Sequence, residues 1–333
     1  MIICVVGQGY VGLPLSIELL KTNHNVIGID KNTKLLSNLS NGISFINRSH
    51  ESVLKESIKN QTYRISSDYK EIKKANVIII CLPTPLKKNF NPDLSYLEKF
   101  IENAAKFFET NALVILESTV STGFTRTYIK SSVKKSLLNL EIDVAFSPER
   151  IDPLNNKWDV KNTPKLVAGL TDKARDRAVQ FYSKFIDTVI PCSSLEVAET
   201  AKLLENSFRL INISFINELA IFCNKIGIDV QEVIKAASTK PYGFMPFYPS
   251  VGIGGHCIPV DPVYLSHKAK EVGAPTSFID LATKVNHEMP KYFVKRASQM
   301  LGKVKNKRVL VLGVSYKPNI SDVRETPVEA LID

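Results

Sequence analysis

The N-terminal stretch ICVVGQGYVG, residues 3–12, decides the fold. It joins a short apolar strand to an amphipathic helix through glycines in GxGxxG spacing. Gly7 permits a tight turn, Gly9 lets the backbone approach a pyrophosphate, and Gly12 lets the helix pack closely on the strand. Asp30 ends the next strand, where its carboxylate would accept hydrogen bonds from the adenosine ribose and favour NAD over NADP. The pattern predicts a dinucleotide-binding unit, and a glycine-rich turn in an unrelated α/β protein is the alternative.

The rest of the first 193 residues continues the alternation of strand-like and helix-like segments. Short aliphatic runs separated by segments long enough for helices predict a parallel sheet with helices on both faces. We therefore predict an α/β fold with a Rossmann-type doubly wound domain over residues 1–193. Its predicted strands are Ile2–Val6, Val26–Asp30, Val77–Leu82, Leu113–Glu117, Ile142–Phe146 and Leu166–Gly169.

The character of the chain changes after Ser194. Residues 194–304 read as a central all-α domain around a structured loop, with predicted helices at Leu195–Cys223, Asp229–Ser238 and Ser277–Leu301. Lys307–Gly313 returns to a buried-strand pattern, and Thr326 and Pro327 resemble the start of a helix. We expect residues 305–333 to be the incomplete start of a third unit that cannot build its own core. Its strand should then be poorly ordered or paired with a partner chain.

Composition narrows the function classes. The 333 residues are 44% hydrophobic and 23% charged, which is typical of a globular protein. No apolar run reaches the roughly 18 residues of a membrane span, and glycines interrupt the apolar N-terminus, so we expect a cytoplasmic protein with no membrane partner. The formal charge of +10 is spread over scattered lysines, which favours a phosphorylated small molecule over nucleic acid. The five cysteines form no CxxC pair, so neither a disulfide framework nor a metal site is predicted.

Two predicted strand ends carry hydroxyl side chains. The carboxyl ends of parallel strands form the ligand crevice of such sheets. We therefore expect Thr84 and Pro85, after one strand, and Ser118 and Thr119, after the next, to line the nicotinamide side of the cofactor. Helix caps and turns explain these residues equally well.

The helical half supplies reactive groups. Lys202 and Asn206 are four residues apart and share a helix face, where they could flank a reacting oxygen, although such a pair is more often solvated. In GIGGHCIPVDP, residues 252–262, glycines free the backbone to approach a ligand, and Cys257 sits where a helix could start, a place that lowers the pKa of a thiol. Asp261 follows one helical turn later. Most cysteines are small buried hydrophobes, but the polar context of Cys257 indicates a nucleophile.

These motifs together resemble the UDP-glucose/GDP-mannose dehydrogenase family. The resemblance is carried, in order along the chain, by GxGYVGLP, PTP at Pro83–Pro85, STV at Ser118–Val120, SPER at Ser147–Arg150, the Lys202/Asn206 helix, GIGGHCIPVDP and YKPNISDVRETP. The SPER and cysteine-loop motifs are more similar to the branch that acts on UDP-2-acetamido sugars such as UDP-N-acetylglucosamine.

The resemblance implies a four-electron oxidation of the sugar C6 alcohol to a carboxylate with two NAD⁺, for surface polysaccharide precursors. It implies that Cys257 carries the covalent intermediate, that Lys202 and Asn206 stabilise the C6 oxygen, and that Asp261 with Thr119 activates water. It further implies that Glu149 borders the active site and that residues 305–333 are the incomplete start of a Rossmann-like, UDP-binding domain. The remaining implied contacts are Tyr10, Val11 and Arg324 with cofactor, and Arg150, Ser250, Gly254 and Lys317 with the sugar nucleotide.

Other functions remain open from the sequence. A two-electron β-hydroxyacid dehydrogenase has a similar first domain and Lys/Asn pair but needs no nucleophilic cysteine. A non-catalytic nucleotide-binding module is a third possibility if the shortened chain is inactive. The long helix Leu195–Cys223 is apolar on more than one side, which predicts a homodimer through this helix.

Overall fold

The computed structural model describes residues 1–129, 141–152, 155, 157–302, 307–317 and 323–333. Contacts divide the chain into two compact units. The first unit is Met1–Lys87 with Pro92–Lys202, and the second is Lys88–Asn91 with Leu203–Asp333.

The first unit contains one sheet of eight strands among the described residues, in the order β3-β2-β1-β4-β5-β6-β7-β8. The pairs from β3 to β6 are all parallel, and the order 3-2-1-4-5-6 is that of a Rossmann fold. The strands are β1 Ile2–Val6, β2 Asn25–Ile29, β3 Tyr63–Ser66, β4 Val77–Ile80, β5 Leu113–Leu116, β6 Asp143–Phe146, β7 Lys165–Gly169 and β8 Val189–Pro191.

Both faces of this sheet are buried. Along β1, Cys4 and Val6 join one hydrophobic cluster, whereas Ile3 and Val5 join another on the opposite face, and β4 and β5 alternate in the same way. Continuous aliphatic strands are therefore accommodated because helices cover each face. These helices are α1 Gly12–Lys21, α2 Thr33–Ser40, α3 His50–Lys59, α4 Ser95–Ala104 and α5 Asp172–Tyr182. The predicted Rossmann-type fold is confirmed.

The far end of the sheet departs from the purely parallel prediction. Strand β7 pairs antiparallel with β6, and β8 runs parallel to β7. The sequence-based prediction also missed β3 and β8, because Tyr63–Ser66 and Val189–Pro191 are short and carry exposed or half-buried residues. The reversal of β7 brings its first residue to the same sheet edge as the carboxyl ends of β5 and β6.

The second unit is helical. It holds most of α6 Leu195–Ile226, the long helix that was predicted, with α7 Val230–Ala237, α8 Asp261–Glu271 and α9 Ser277–Leu301. Ser214 on α6 donates a hydrogen bond to the Ala282 carbonyl of α9 at 2.9 Å, and Leu210 packs with Ile279 in a small core. Within the described part of the chain, no helix combines the length and apolar character that a bilayer span requires.

The apolar segment Lys307–Gly313 forms no strand within this chain, so the strand that it would form with a partner chain stays a prediction. Residues 307–314 have no secondary structure, and Leu310 and Leu312 are 80% and 85% exposed. A strand needs a hydrogen-bonded neighbour, and the described residues offer this segment none. The helix predicted from Thr326 does form as α10 Pro327–Ile332, with the Thr326 side chain accepting from the Val328 N–H, and it contacts α9.

Candidate active site

Three glycines shape the loop between β1 and α1. Gly7 has φ +90°, and a Cβ there would lie 2.4 Å from the Cys81 carbonyl oxygen. A Cβ on Gly12 would lie 1.8 Å from the Gly7 carbonyl oxygen, so α1 begins against the loop only without a side chain. A Cβ on Gly9 would have no neighbour within 4 Å. This leaves open space at the N-terminus of α1, where backbone N–H groups bind pyrophosphates.

Asp30 lies directly after β2 beside this loop. Its Oδ2 accepts a hydrogen bond from the Gln8 N–H at 2.8 Å, and its Oδ1 accepts one from the Asn32 N–H at 2.9 Å. Two backbone donors therefore hold the carboxylate at the carboxyl end of the strand. This is the place from which a Rossmann carboxylate reaches an adenosine ribose.

The sequence interpretation missed Gln8, which is fully buried inside the glycine loop. Its Nε2 donates to the Val5 carbonyl at 2.9 Å, and its Oε1 accepts from the Tyr63 hydroxyl at 2.7 Å and from Ser16 Oγ at 3.1 Å. Burial, with a smaller contribution from Asp30, raises the pKa of Tyr63, so the phenol keeps its proton and donates. A polar residue between two glycines of the motif was the available signal.

The other predicted cofactor residues lie around the same sheet edge. Thr84 and Pro85 follow β4 and are half-buried, whereas Ser118 after β5 is buried and donates to the Ile80 carbonyl at 3.3 Å. Thr119 is half-buried. Tyr10 and Val11 are half-buried in the glycine loop, with the Tyr10 ring packed edge-on against a neighbouring phenylalanine.

A buried charged cluster lies at the edge formed by β5, β6 and β7. The Lys165 ammonium lies 3.1 Å from Glu117 Oε2 and 3.7 Å from Glu149 Oε2, and the Tyr182 hydroxyl donates to Glu117 Oε1. Burial raises the pKa of Glu117 above its ordinary value, although the adjacent Lys165 opposes this rise. Of this cluster the sequence interpretation had identified Glu149 alone. Arg150, the next residue, donates to the Pro164 carbonyl at 2.7 Å.

Helix α6 carries Lys202 and Asn206 one turn apart, and both are buried, at 8% and 7% exposure. The solvated-face interpretation of this pair was therefore wrong. The Asn206 amide donates to Asp261 Oδ2 at 2.5 Å, and Asp261 is itself 3% exposed at the first position of α8. Because both side chains are buried and hydrogen-bonded to each other, each is held in a fixed orientation.

Cys257 is the exposed cysteine of the chain, whereas Cys4, Cys81 and Cys223 are buried and Cys192 is intermediate. Burial raises the pKa of Cys4, Cys81 and Cys192, which makes their thiols poor nucleophiles. The expectation that Cys257 begins a helix was wrong, because α8 starts at Asp261. Cys257 instead precedes the helix by one turn, with its carbonyl accepting from the Asp261 N–H at 2.9 Å.

Backbone and side-chain atoms of Tyr316, Glu325 and Pro327 surround the glycines before Cys257. A Cβ on Gly254 would lie 2.7 Å from the Glu325 carbonyl oxygen, and one on Gly255 would lie 2.8 Å from the Tyr316 ring. These glycines therefore make room for the chain itself, in addition to any ligand. Two asparagines that the sequence interpretation missed anchor the same loop: Asn217 accepts from the Ser250 N–H at 2.8 Å, and Asn286 accepts from the Ile253 N–H at 2.6 Å.

The predicted site residues fall into two groups. The first unit brings the glycine loop and Asp30 to one sheet edge, and it also holds Thr119, Glu149 and Lys202. The second unit brings Asn206 into contact with Asp261, near Cys257. The remaining predicted residues of that unit are Ser250 and Gly254 in the cysteine loop, half-buried Lys317 and exposed Arg324.

Comparisons with known proteins find the same family over nearly the whole chain. The model of the UDP-glucose/GDP-mannose dehydrogenase family NAD binding domain matches residues 1–186, and that of the family's central domain matches residues 196–288. Protein CapL of Staphylococcus aureus is 38% identical over 99% of this chain and 78% of its own length. The UDP-N-acetyl-D-glucosamine 6-dehydrogenase of Pseudomonas aeruginosa is 36% identical over 99% of this chain and 79% of its own.

A solved structure is similar over the same extent. The UDP-D-ManNAc dehydrogenase of Pyrococcus horikoshii superposes with a TM-score of 0.92 at 31% identity, covering 100% of this chain and 80% of that one.

Proposed function

The chain belongs to the UDP-glucose/GDP-mannose dehydrogenase family, and from this membership we propose that it oxidises the C6 alcohol of a UDP-2-acetamido sugar to the carboxylate with two NAD⁺. UDP-N-acetylglucosamine or an epimer is the proposed substrate, since relatives at 30% identity or more are named for the glucosamine and mannosamine forms. The product would be a nucleotide-linked uronate for surface polysaccharide precursors. The protein is proposed to act in the cytoplasm.

The observation that carries the proposal is the exposed thiol of Cys257, four residues before Asp261. Asp261 is buried and accepts a hydrogen bond from Asn206. A two-electron alcohol dehydrogenase has no need of a nucleophile there. In the proposed reaction, the Cys257 thiolate attacks the C6 aldehyde to form a thiohemiacetal, whose second oxidation yields a thioester. Water then cleaves the thioester to release the carboxylate and regenerate the thiol.

Each buried polar residue has a proposed part in this reaction. The Lys202 ammonium and the Asn206 amide would stabilise negative charge on the C6 oxygen. Asp261, held by Asn206, would orient and deprotonate the hydrolytic water together with Thr119. Glu149 and Arg150 would border the sugar, with Ser250, Gly254 and Lys317 binding the sugar nucleotide.

The first unit fits NAD. The open space beside Gly9 at the start of α1 accommodates a diphosphate, and the fixed Asp30 carboxylate accepts hydrogen bonds from ribose hydroxyls while repelling a 2′-phosphate. When bound, NAD⁺ supplies the hydride acceptor for both oxidations. Gly7, Gly12, Tyr10 and Val11 would shape the loop around it, Thr84, Pro85, Ser118 and Thr119 the nicotinamide side, and Arg324 is a further proposed cofactor contact.

The stoichiometry of NADH release tests the proposal. Purified protein is supplied in turn with the UDP forms of glucose, N-acetylglucosamine, N-acetylmannosamine and N-acetylgalactosamine. We expect two NADH per sugar from at least one of the three 2-acetamido forms. The Cys257→Ser variant should lose steady turnover, and Cys192→Ser serves as the matched control because Cys192 is half-buried and has no proposed part in the reaction. One NADH per sugar with full activity of Cys257→Ser would establish the two-electron reaction instead.

We also propose a homodimer formed through α6. Large apolar side chains on this helix are exposed at helical spacing: Leu204, Phe208, Phe215, Phe222 and Ile226. Leu204 and Phe208 also line an apolar groove of about 470 Å³, together with other residues of α6, α8 and the start of α9. Monomeric proteins rarely expose such a continuous apolar stripe, and a second copy of the same helix is complementary to it.

Sedimentation tests the dimer. Wild-type protein at micromolar concentration should sediment as a dimer, and Phe215→Asp should shift it to the 37.1 kDa monomer. Tyr96→Asp, at a similarly exposed aromatic residue on α4, should leave the dimer intact. A wild-type monomer would refute this proposal.

The division of the chain into three segments is also part of the proposal. Residues 1–193 would bind NAD, residues 194–304 would dimerise and carry the nucleophile, and residues 305–333 would begin a domain that contacts UDP. Limited proteolysis with and without UDP would test the last assignment, which requires that UDP protects Lys317.

A further inference from the structure

The reversed strand β7 brings a lysine to the functional edge of the sheet. Phe146 of β6 pairs with Ala168 of β7 in antiparallel register. The residues that follow β6 therefore lie beside the residues that begin β7. Glu149 and Lys165 occupy these two positions, which would be at opposite edges of the sheet if β7 were parallel.

Lys165 is held from the other side by a buried carboxylate. Its side chain is 8% exposed, and its ammonium lies 3.1 Å from Glu117, whose side chain is fully buried. Tyr182 on α5 donates a hydrogen bond to the same carboxylate. Burial alone would lower the pKa of Lys165, but the carboxylates of Glu117 and Glu149 outweigh it and raise the pKa, so the ammonium stays charged.

Glu149 is fixed between its own turn and this ammonium. Its Oε1 accepts from the Arg150 N–H at 2.6 Å and from the Ile151 N–H at 2.5 Å, while its Oε2 faces the Lys165 ammonium at 3.7 Å. The carboxylate thus closes the turn that carries Arg150, and the ammonium holds the carboxylate. A substitution at Lys165 would therefore affect the placement of both the Glu149 and the Arg150 side chains.

We propose that Lys165 is a positioning residue that holds Glu149 and the turn of residues 149–151 in the conformation used in the active site. The role in activity rests on the proposed function, whereas the role in the turn does not. The competing explanation is that Lys165 only neutralises buried Glu117. Removal of either member of a buried ion pair leaves an uncompensated charge and destabilises the fold, so a single variant cannot separate the two explanations.

A pair of variants distinguishes the positioning role of Lys165 from simple neutralisation of Glu117. Glu117→Gln removes the buried carboxylate charge but keeps the Lys165 ammonium beside Glu149. The double variant E117Q/K165M removes the ammonium as well, so the two variants differ only in the presence of Lys165. Both should fold, because Glu149 still faces the Lys165 ammonium in E117Q and Tyr182 can donate to the glutamine oxygen in both variants. Lys173→Met, which removes an ammonium 3.5 Å from Asp143 with a side chain 65% exposed, controls for loss of a lysine.

Hydrogen exchange is the readout that does not depend on activity. We expect the peptide covering residues 147–152 to exchange about tenfold faster in E117Q/K165M than in E117Q, because Glu149 is no longer held by an ammonium and spends less time bound to the Arg150 and Ile151 amides. Peptides from β5 and α5 should exchange equally in the two variants. Equal exchange at 147–152 would overturn the proposal, whatever the enzyme turns over.

Kinetics provide the second readout. We expect kcat for the UDP-sugar to be about 100-fold lower in E117Q/K165M than in E117Q, with KM for NAD⁺ and the melting temperature unchanged. If kcat is equal in the two variants, Lys165 has no positioning role in the reaction. If wild-type protein oxidises no UDP-sugar, the proposed function fails, and hydrogen exchange alone decides the proposal about Lys165.

Discussion

Gly9 and Gly12 stand three positions apart in one loop, and their surroundings give them different roles. Gly12 is required by the fold, since its Cβ position overlaps the Gly7 carbonyl oxygen at 1.8 Å. Gly9 faces open space and is required only when something occupies that space. One motif therefore contains a structural glycine and a ligand-binding glycine, and alanine at each position distinguishes them.

We predict that Gly12→Ala destabilises the protein by about 3 kcal/mol or more, because backbone atoms must move to admit the methyl group. Gly9→Ala should keep the wild-type melting temperature but weaken NAD⁺ binding at least about tenfold, since its methyl group occupies the space of a pyrophosphate. Thermal denaturation and calorimetric titration with NAD⁺ measure the two effects. A Gly9→Ala variant that binds NAD⁺ as wild type would contradict the assigned position of the cofactor.

At the scale of elements, the first turns of α6 hold the helical turn at Thr125–Ile129. Glu199 is buried and accepts from the Gly123 and Thr125 N–H groups at 2.6 and 3.0 Å. Glu196 forms a two-bond pair with Arg126, at 2.6 and 3.2 Å. These two carboxylates tie the segment after β5 to the long helix.

The Glu196–Arg126 pair predicts a small acid dependence of stability. The hydrogen bond from Arg126 lowers the pKa of Glu196 from 4.5 to about 2. A lowered pKa in the folded state stabilises the fold above pH 4.5, and this contribution is lost as the pH falls toward 2. Because both side chains are about one-third or more exposed, we expect no more than about 1 kcal/mol.

Glu196→Gln should therefore lower the melting temperature at pH 6 and have progressively less effect as the pH falls to 2.5. Glu232→Gln, at an exposed carboxylate on α7, is the control for loss of a surface charge. Melting curves measured in parallel across this pH range provide the comparison. A difference between wild type and Glu196→Gln that grows on acidification would refute the assignment.

The elements also show how far sequence reasoning extends. Strands β1, β2, β4, β5 and β6 and the long helices were predictable because their apolar patterns satisfy burial locally. The direction of β7 was not, because strand direction depends on the connection and not on composition. Lys165 and Glu117 were missed for the same reason, since they meet only through that reversal. The pattern of Lys307–Gly313 indicated a strand, but a strand also needs a hydrogen-bonding neighbour, which composition does not reveal.

At the scale of the whole molecule, the formal charge of +10 comes from 43 basic and 33 acidic residues. Exposed lysines without a dense basic block create a diffuse positive potential around the protein. Such a potential raises the encounter rate with small anions, and salt screens it. A doubly charged diphosphate is the kind of ligand that this potential attracts.

We predict that kcat/KM for the UDP-sugar falls about tenfold between 0.02 and 0.5 M NaCl while kcat changes little, because screening affects encounter and not chemistry. Lys317→Gln should lower kcat/KM at low salt and flatten this dependence, whereas Lys59→Gln, an exposed lysine at the end of α3, should behave as wild type. Steady-state rates over a salt series measure both effects. A kcat/KM that rises with salt would contradict electrostatic attraction of the substrate.

The buried Gln8 has a consequence for the kinetics of cofactor capture. Its amide already joins the loop to β1, α1 and β3, and its N–H already holds Asp30. The loop therefore has little left to order when NAD⁺ arrives, and capture should be a single bimolecular event without a slow rearrangement. In stopped-flow fluorescence, the observed rate should rise linearly with NAD⁺ concentration in the wild type, and Gln8→Ala should introduce a plateau as ordering of the loop becomes a separate step.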